Sequence, residues 1–169
     1  GWRAPDMLNV QKDIYSAFSQ FLAGQIVEAY RKRNAHNPSL EDAVGLLRAW
    51  NGQMDKDLGA PFLITLAYQH VRRAIAENAS AATGIAYEFN LAPVVVERLL
   101  RERPAGWFGD YDEMLLRALA DAVEEGRRMQ GRDPKRWRYG MYLRIAINNP
   151  VIHQIPLVGK YFDIGPVPM

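Results

Sequence analysis

Apolar residues in this chain recur at steps of three and four, while the strict alternation of a half-buried strand is scarce. That spacing predicts helices. Met7, Val10, Ile14, Tyr15, Phe18, Phe21, Leu22 and Ile26 share one helical face between Pro5 and Arg33. Pro5 and Asp6 suit the first turn of this helix, and Arg31, Lys32 and Arg33 suit its last. "NAHNP" reads as a turn. Ser39 and Asp42 then resemble a capping box that opens a second helix, "SLEDAVGLLRAW". "NGQMDKDLGAP" breaks the pattern. "APFLITLAYQHVRRAIAEN" makes a third helix with Pro61 in its first turn. "ASAATG" reads as a small-residue loop, and "APVVVERLLRERP" as a short fourth helix closed by Pro104. The fifth lies in "GWFGDYDEMLLRALADAVEEGRRMQG", with Asp110 as cap and Gly131 as stop.

Beyond Trp137 the helical period fades, and Pro150, Pro156, Pro166 and Pro168 punctuate the rest. The expectation is a mainly α chain: about five helices over residues 5–137, then an irregular, proline-rich tail over 138–169. A tail of that length without periodicity is unusual in a compact domain. It reads as a segment made to lie against another part of a larger protein.

Composition narrows the function classes. The 169 residues suffice for one sizeable core, and 49% hydrophobic with 24% charged residues is ordinary for a folded domain. A net charge of +2 points strongly neither to nucleic acid nor to anionic lipid. With no cysteine there is no disulfide framework, thiolate chemistry or Cys-ligated metal. No apolar run reaches the roughly 18–20 residues of a membrane span. "GWRAPDML" lacks the shape of a signal peptide.

Residues that carry chemistry are present but scattered. His36, His70 and His153 are far apart, and no Gly-x-Ser-x-Gly, phosphate-loop or His-Glu-x-x-His motif occurs. Asp55/Asp57, Asp110/Asp112 and Glu124/Glu125 are paired carboxylates, but they fall in a loop, at a helix start and on a polar helix face. Asn51, Asp55 and Asp57 around Gly52 lack the spacing and closing Glu of a calcium loop. Gln11 lies on the apolar face of the first helix, where a polar group needs a partner; a tie to neighbouring backbone is expected. Arg127, Arg128, Arg132, Lys135, Arg136, Arg138 and Arg144 interleave with Trp137, Tyr139 and Tyr142. Such a mixture grips phosphates and stacks bases in some proteins. Here Asp121, Glu124 and Glu125 offset it, and the motif of a nucleic-acid module is missing.

Three stretches, in order, resemble the penicillin acylase (penicillin amidase) family of N-terminal-nucleophile hydrolases. "MLNVQKDIYSAFSQFL" resembles the family's Gln-x-Asp-x-x-Ser helix, here Gln11, Asp13 and Ser16. "LLRAWNGQMDKDLGAPFLITLAY" resembles a Leu-x-x-Trp-Asp-Gly turn leading into a helix, with Asn51 in place of the Asp between Trp50 and Gly52. "RDPKRWRYGMYLRIAINNPVIHQIPL" resembles a Trp-x-Trp-Gly-x-x-His element followed by His-Pro and Pro-Leu. Trp137, Gly140, Pro150 and Pro156 match; Tyr139 stands for the second Trp, Leu143 for the first His and Asn149 for the His before Pro150.

The resemblance spans Trp2 to Met169. It implies the helical part of an αββα hydrolase, an internal piece of the large subunit. In that family a precursor cuts itself, and the new N-terminal Ser attacks with its own α-amine as base. An Asn side chain and a backbone N–H form the oxyanion hole. By the resemblance these groups lie upstream of this stretch. Gly1 has no hydroxyl, and Ser16, Ser19, Ser39 and Ser80 have no free α-amine. No catalytic, cofactor-binding or metal-binding residue is therefore expected in the chain; family members often hold a structural calcium elsewhere. The implied partners are the small subunit and the catalytic sandwich, with no nucleic acid and no membrane, in a periplasmic or secreted enzyme. The basic, aromatic stretch is expected to bury its aromatics against that sandwich. The alternative is a stand-alone helical interaction module without catalysis.

Overall fold

The computed structural model describes residues 3–11, 13–33, 37–87, 91–147 and 164–168. Among them the chain is mainly α, as expected. Seven α segments stand where five helices were anticipated, because the first is split and a single turn follows Trp137.

The split separates α1 (Ala4–Gln11) from α2 (Ala17–Lys32). Ser16 is the reason. Its backbone is extended (φ −115°, ψ 99°), and its hydroxyl oxygen accepts from the Ser19 amide at 3.3 Å, capping α2. The apolar period continues across this break, which conceals it in the sequence. Met7, Val10, Ile14 and Tyr15 were expected on the buried face; each is about half exposed. The buried face of α2 is instead Leu22, Ala23, Ile26, Ala29 and Tyr30.

α3 (Pro38–Ala49) is capped two residues earlier than expected. Asn37 accepts from the Ser39 amide at 3.1 Å, with Pro38 beginning the helix, and the Ser39 hydroxyl also donates to Asn37 at 2.6 Å. Asp42 is thereby free to meet Lys135 at 2.9 Å. α4 (Gly59–Thr83) runs straight through the small residues expected as a loop, since Ala and Ser sustain a helix that has already been nucleated; Gly84, at φ +69°, stops it. α5 (Pro93–Glu102) ends before Pro104 as anticipated, at Arg103. α6 (Tyr111–Gln130) has the expected limits. Asp110 accepts from the Glu113 amide at 2.9 Å, and Gly131 turns the chain at φ +91°.

The stretch expected to be irregular carries more order. After a 3-10 turn (Pro134–Arg136) come α7 (Tyr139–Tyr142) and two short antiparallel strands, β1 (Arg144–Ile147) and β2 (Ile164–Pro168), with Ile145 opposite Val167. In a two-stranded ribbon each strand has an outer edge, so Pro166 and Pro168 fit without breaking the pairing.

α4 is the axis of the core. Every residue from Gly59 to Ile64 is buried, so neighbours surround its first turns. Its most extensive contact is with α6 through Leu115, Leu119, Ala122 and Val123, while α2 and α3 close the other sides. Each fully buried Leu or Ile contributes about 1.5–3 kcal/mol relative to exposure. Among the described residues no polar or charged side chain is fully buried, and no helix is long and apolar enough to cross a membrane.

Candidate functional site: three motifs meet on one loop

Residues 50–58, between α3 and α4, receive both other motifs. The Asp13 carboxylate accepts from the Tyr15 amide at 3.0 Å and from the Gln53 side-chain amide at 3.0 Å. Backbone bonds run alongside: the Ser16 amide donates to Gly52 at 2.9 Å, and the Met54 amide to Ile14 at 3.0 Å. Tyr15 and Gln53 thus form one antiparallel bridge. Within the loop the Trp50 indole donates to the Gln53 carbonyl at 2.8 Å, and Asn51 accepts from the Gln53 amide at 3.1 Å. Asn51 therefore makes an acceptor bond open equally to an Asp at its place. Gly52 sits at φ +87°, and the Tyr15 ring fills the space a Cβ would need.

The third motif arrives from the other side. The Gly140 amide donates to Lys56 at 2.8 Å and the Tyr139 amide to Leu58 at 3.0 Å. Trp137 is fully buried; its indole stands edge-on to Phe62 at 5.6 Å and 88°, and its N–H donates to Gly131 at 2.8 Å. The ring fits because Gly126 has no side chain; a Cβ there would lie 2.7 Å from the indole. Gly59 performs the same service for the Pro134 carbonyl, 2.9 Å from where a Cβ would be. Tyr142 accepts from the Gln69 side chain at 2.7 Å and packs on Phe62. The aromatics of this stretch were expected to bury against the catalytic sandwich. Trp137 buries in this chain's own core, and Tyr139 and Tyr142 pack partly buried against it.

The remaining candidates have structural partners. His70 meets Glu125 at 2.8 Å across α4 and α6, and Asp112 meets Arg103 at 2.7 Å. Asp110 caps α6 and pairs with Arg33; Asp55 accepts from the Asp57 amide at 2.8 Å; Glu124 pairs with Arg127. The Ser16 hydroxyl donates to Ser19 at 2.8 Å, and Ser80 accepts from the Tyr87 amide at 3.0 Å. Burial raises the Tyr68 phenol above its ordinary range, against the pull of Arg72; its hydroxyl donates to Leu91 at 2.7 Å. The hydrogen bond to Asp42 raises the Lys135 ammonium likewise. His36, His153, Asn149, Pro150 and Pro156 lie outside the described residues, as does the Gln11 side chain. Among the described residues no three of His, Asp and Glu come together as a metal site.

Between α4 and α6 runs an open groove of about 970 Å³, its walls carrying charges of both signs, Arg73, Arg117 and Arg128 with Glu77, Glu113 and Asp121. Sequence reasoning missed Gln53, Tyr15 and Gly126. Only Gly126 left a signal: a glycine inside a helix costs about 1 kcal/mol against Ala, which invites a packing reason, although Gly24 and Gly45 sit in helices with nothing near their Cβ positions.

The junction fixes the relative positions of three separate stretches, and its polar bonds end on backbone or amide groups. It is built from the residues that carry the family resemblance. The family model described as penicillin amidase matches residues 1–169, the whole chain. No curated protein matches it at a significant level. With that match and three interlocked motifs, the chain belongs to the penicillin amidase family.

Proposed function

We propose that this chain is the helical scaffold of the large subunit in a penicillin-amidase-type hydrolase. The enzyme would cleave the amide of N-acyl compounds, such as β-lactam side chains or acyl-homoserine lactones. Family membership over all 169 residues supports an amidohydrolase origin. The observation that carries the scaffold role is the loop at residues 50–58, which binds Asp13 and Ser16 on one side and Gly140 on the other. On this reading the N-terminal Ser and its α-amine belong to another segment of the protein. Ser attacks the acyl carbon, the amine leaves with a proton from the α-ammonium, and water releases the acid. The small subunit and catalytic sandwich are the partners, in the periplasm or outside the cell.

A chromogenic N-acyl-anilide tests this. The intact protein should release anilide in a burst, as an acyl-enzyme accumulates. The 169-residue chain alone should release none. Turnover by the pure chain, lost on a point change inside it, would contradict the scaffold role. An intact protein inert toward acyl-anilides, penicillins and acyl-homoserine lactones would overturn the amidase reading and favour an interaction module.

A further inference from the structure

Asn51 is the only asparagine of the chain that a glycine follows. That pair is chemically labile. Glycine has no side chain to shield its own backbone nitrogen, which can attack the amide carbon of the asparagine side chain before it. Asn37 and Asn149 precede prolines, which have no N–H to lose.

The structure leaves the two reacting nitrogens unengaged. Asn51 is exposed. Its side-chain oxygen accepts from the Gln53 amide at 3.1 Å. Its side-chain nitrogen donates to nothing among the described residues, and neither does the Gly52 N–H. The nitrogen that attacks and the nitrogen that leaves therefore carry no bond that must break first. The Gly52 carbonyl is different. It accepts from the Ser16 amide at 2.9 Å, and the Tyr15 ring packs where a Cβ of Gly52 would stand. Attack needs the Asn51–Gly52 peptide plane to swing toward the side chain, and these contacts oppose that swing.

We propose that Asn51 is a self-modification site, converted to an acidic residue at a rate set by release of its loop from Ser16. The Gly52 nitrogen bonds to Asn51 Cγ and gives its proton to solvent. The side-chain nitrogen departs as ammonia, leaving a cyclic imide. Water then opens the imide to a carboxylate. Cleavage of the bond to Cγ yields aspartate; cleavage at the backbone carbonyl yields isoaspartate. The net change is amide plus water to acid plus ammonia, with no oxidant or cofactor. Aspartate keeps the oxygen that the Gln53 amide uses, and its charge strengthens that bond. Isoaspartate lengthens the main chain by a methylene and moves Gly52 out of register with Ser16. The inference goes beyond the scaffold reading and holds whether or not the protein hydrolyses amides.

The test ages the intact protein in warm, mildly alkaline buffer and follows each asparagine by peptide mass spectrometry. Asn78 is the internal reference, inside α4 with its side chain donating to the Trp107 carbonyl at 2.7 Å. Asn51 should convert at least about tenfold faster than Asn78, because glycine follows it. Asp13→Ala removes the acceptor for the Tyr15 amide and Gln53, loosening the loop, and should speed Asn51 severalfold while leaving Asn78 unchanged. Urea below the unfolding transition should do the same without a substitution, so the test survives a variant that fails to fold. Conversion of Asn51 no faster than Asn78 would overturn the site. Rates indifferent to both Asp13→Ala and low urea would overturn its control by the loop. In full denaturant, Gly52→Ala should slow the reaction; an unchanged rate there would overturn the attack by the Gly52 nitrogen.

Discussion

Two ties hold the loop before α4, and they are built from different materials. On the α2 side, Asp13, Tyr15 and Gln53 join it by hydrogen bonds at the surface, with Tyr15 47% exposed. On the α7 side, Trp137 enters the core and is 0% exposed. Water competes for the first set of bonds and not for the contacts of the second. The first tie should therefore set the path of the chain, and the second its stability.

Trp137→Ala is the sharpest break. Removing a fully buried indole costs about 3–5 kcal/mol, a large part of the stability of any single domain. Urea denaturation followed by far-UV circular dichroism should show a midpoint displaced accordingly, or no folded baseline at all. A shift worth less than about 1 kcal/mol, within the range of ordinary substitutions, would mean the indole is not a core element.

Gly126→Ala attacks the same contact from the other side. Alanine favours the helix by about 1 kcal/mol over glycine, so propensity alone predicts stabilisation. The new methyl would lie 2.7 Å from a ring with nowhere to move, and overpacking costs about 1–3 kcal/mol. The same change at Gly24, where a Cβ meets nothing within 4 Å, should stabilise instead. Opposite signs at two helical glycines would confirm the packing argument; equal signs would sink it.

How far the sequence foretold this follows the same division. α6 was legible at both ends because its limits are local: Asp110 caps with its own side chain, and Gly131 turns with its own φ. The break before α2 was not legible. Ser16 leaves helical geometry because the 13–16 segment gains partners at Gly52 and Met54, some forty residues away, and nothing local records that. α3 was capped by Asn37 although Ser39 and Asp42 looked the better box, because Lys135 draws Asp42 away. The junction shows the limit most clearly. Its motifs were visible as separate stretches, while their meeting on one loop, and the role of Gln53, depend on tertiary geometry. The burial of Trp137 in its own domain was missed for the same reason; the glycine that admits it lies eleven positions earlier, on another element.

Gly52→Ala tests the surface tie, with a smaller effect. A non-glycine residue at φ +87° costs about 1–2 kcal/mol. The added methyl must also displace the Tyr15 ring, which is half exposed and free to swing outward. A Tyr15→Ala background should therefore recover only the part owed to crowding. If the double variant is as stable as the wild type, backbone strain is not the cause, and the argument from φ fails.

The mildest change isolates a single side chain. Asp13→Ala removes the acceptor for the Tyr15 amide and for Gln53, both solvent-accessible, so water replaces much of what is lost. Each such bond contributes about 0.5–1.5 kcal/mol net, and exposure places this pair at the low end. Asp13→Asn keeps an oxygen in the same place and should cost less than Ala. A cycle with Gln53→Ala should give a coupling below about 1 kcal/mol, as exposed polar pairs do. A larger coupling would mean that the surface tie carries stability as well as path, and that the two sides of the loop are less different than their burial implies.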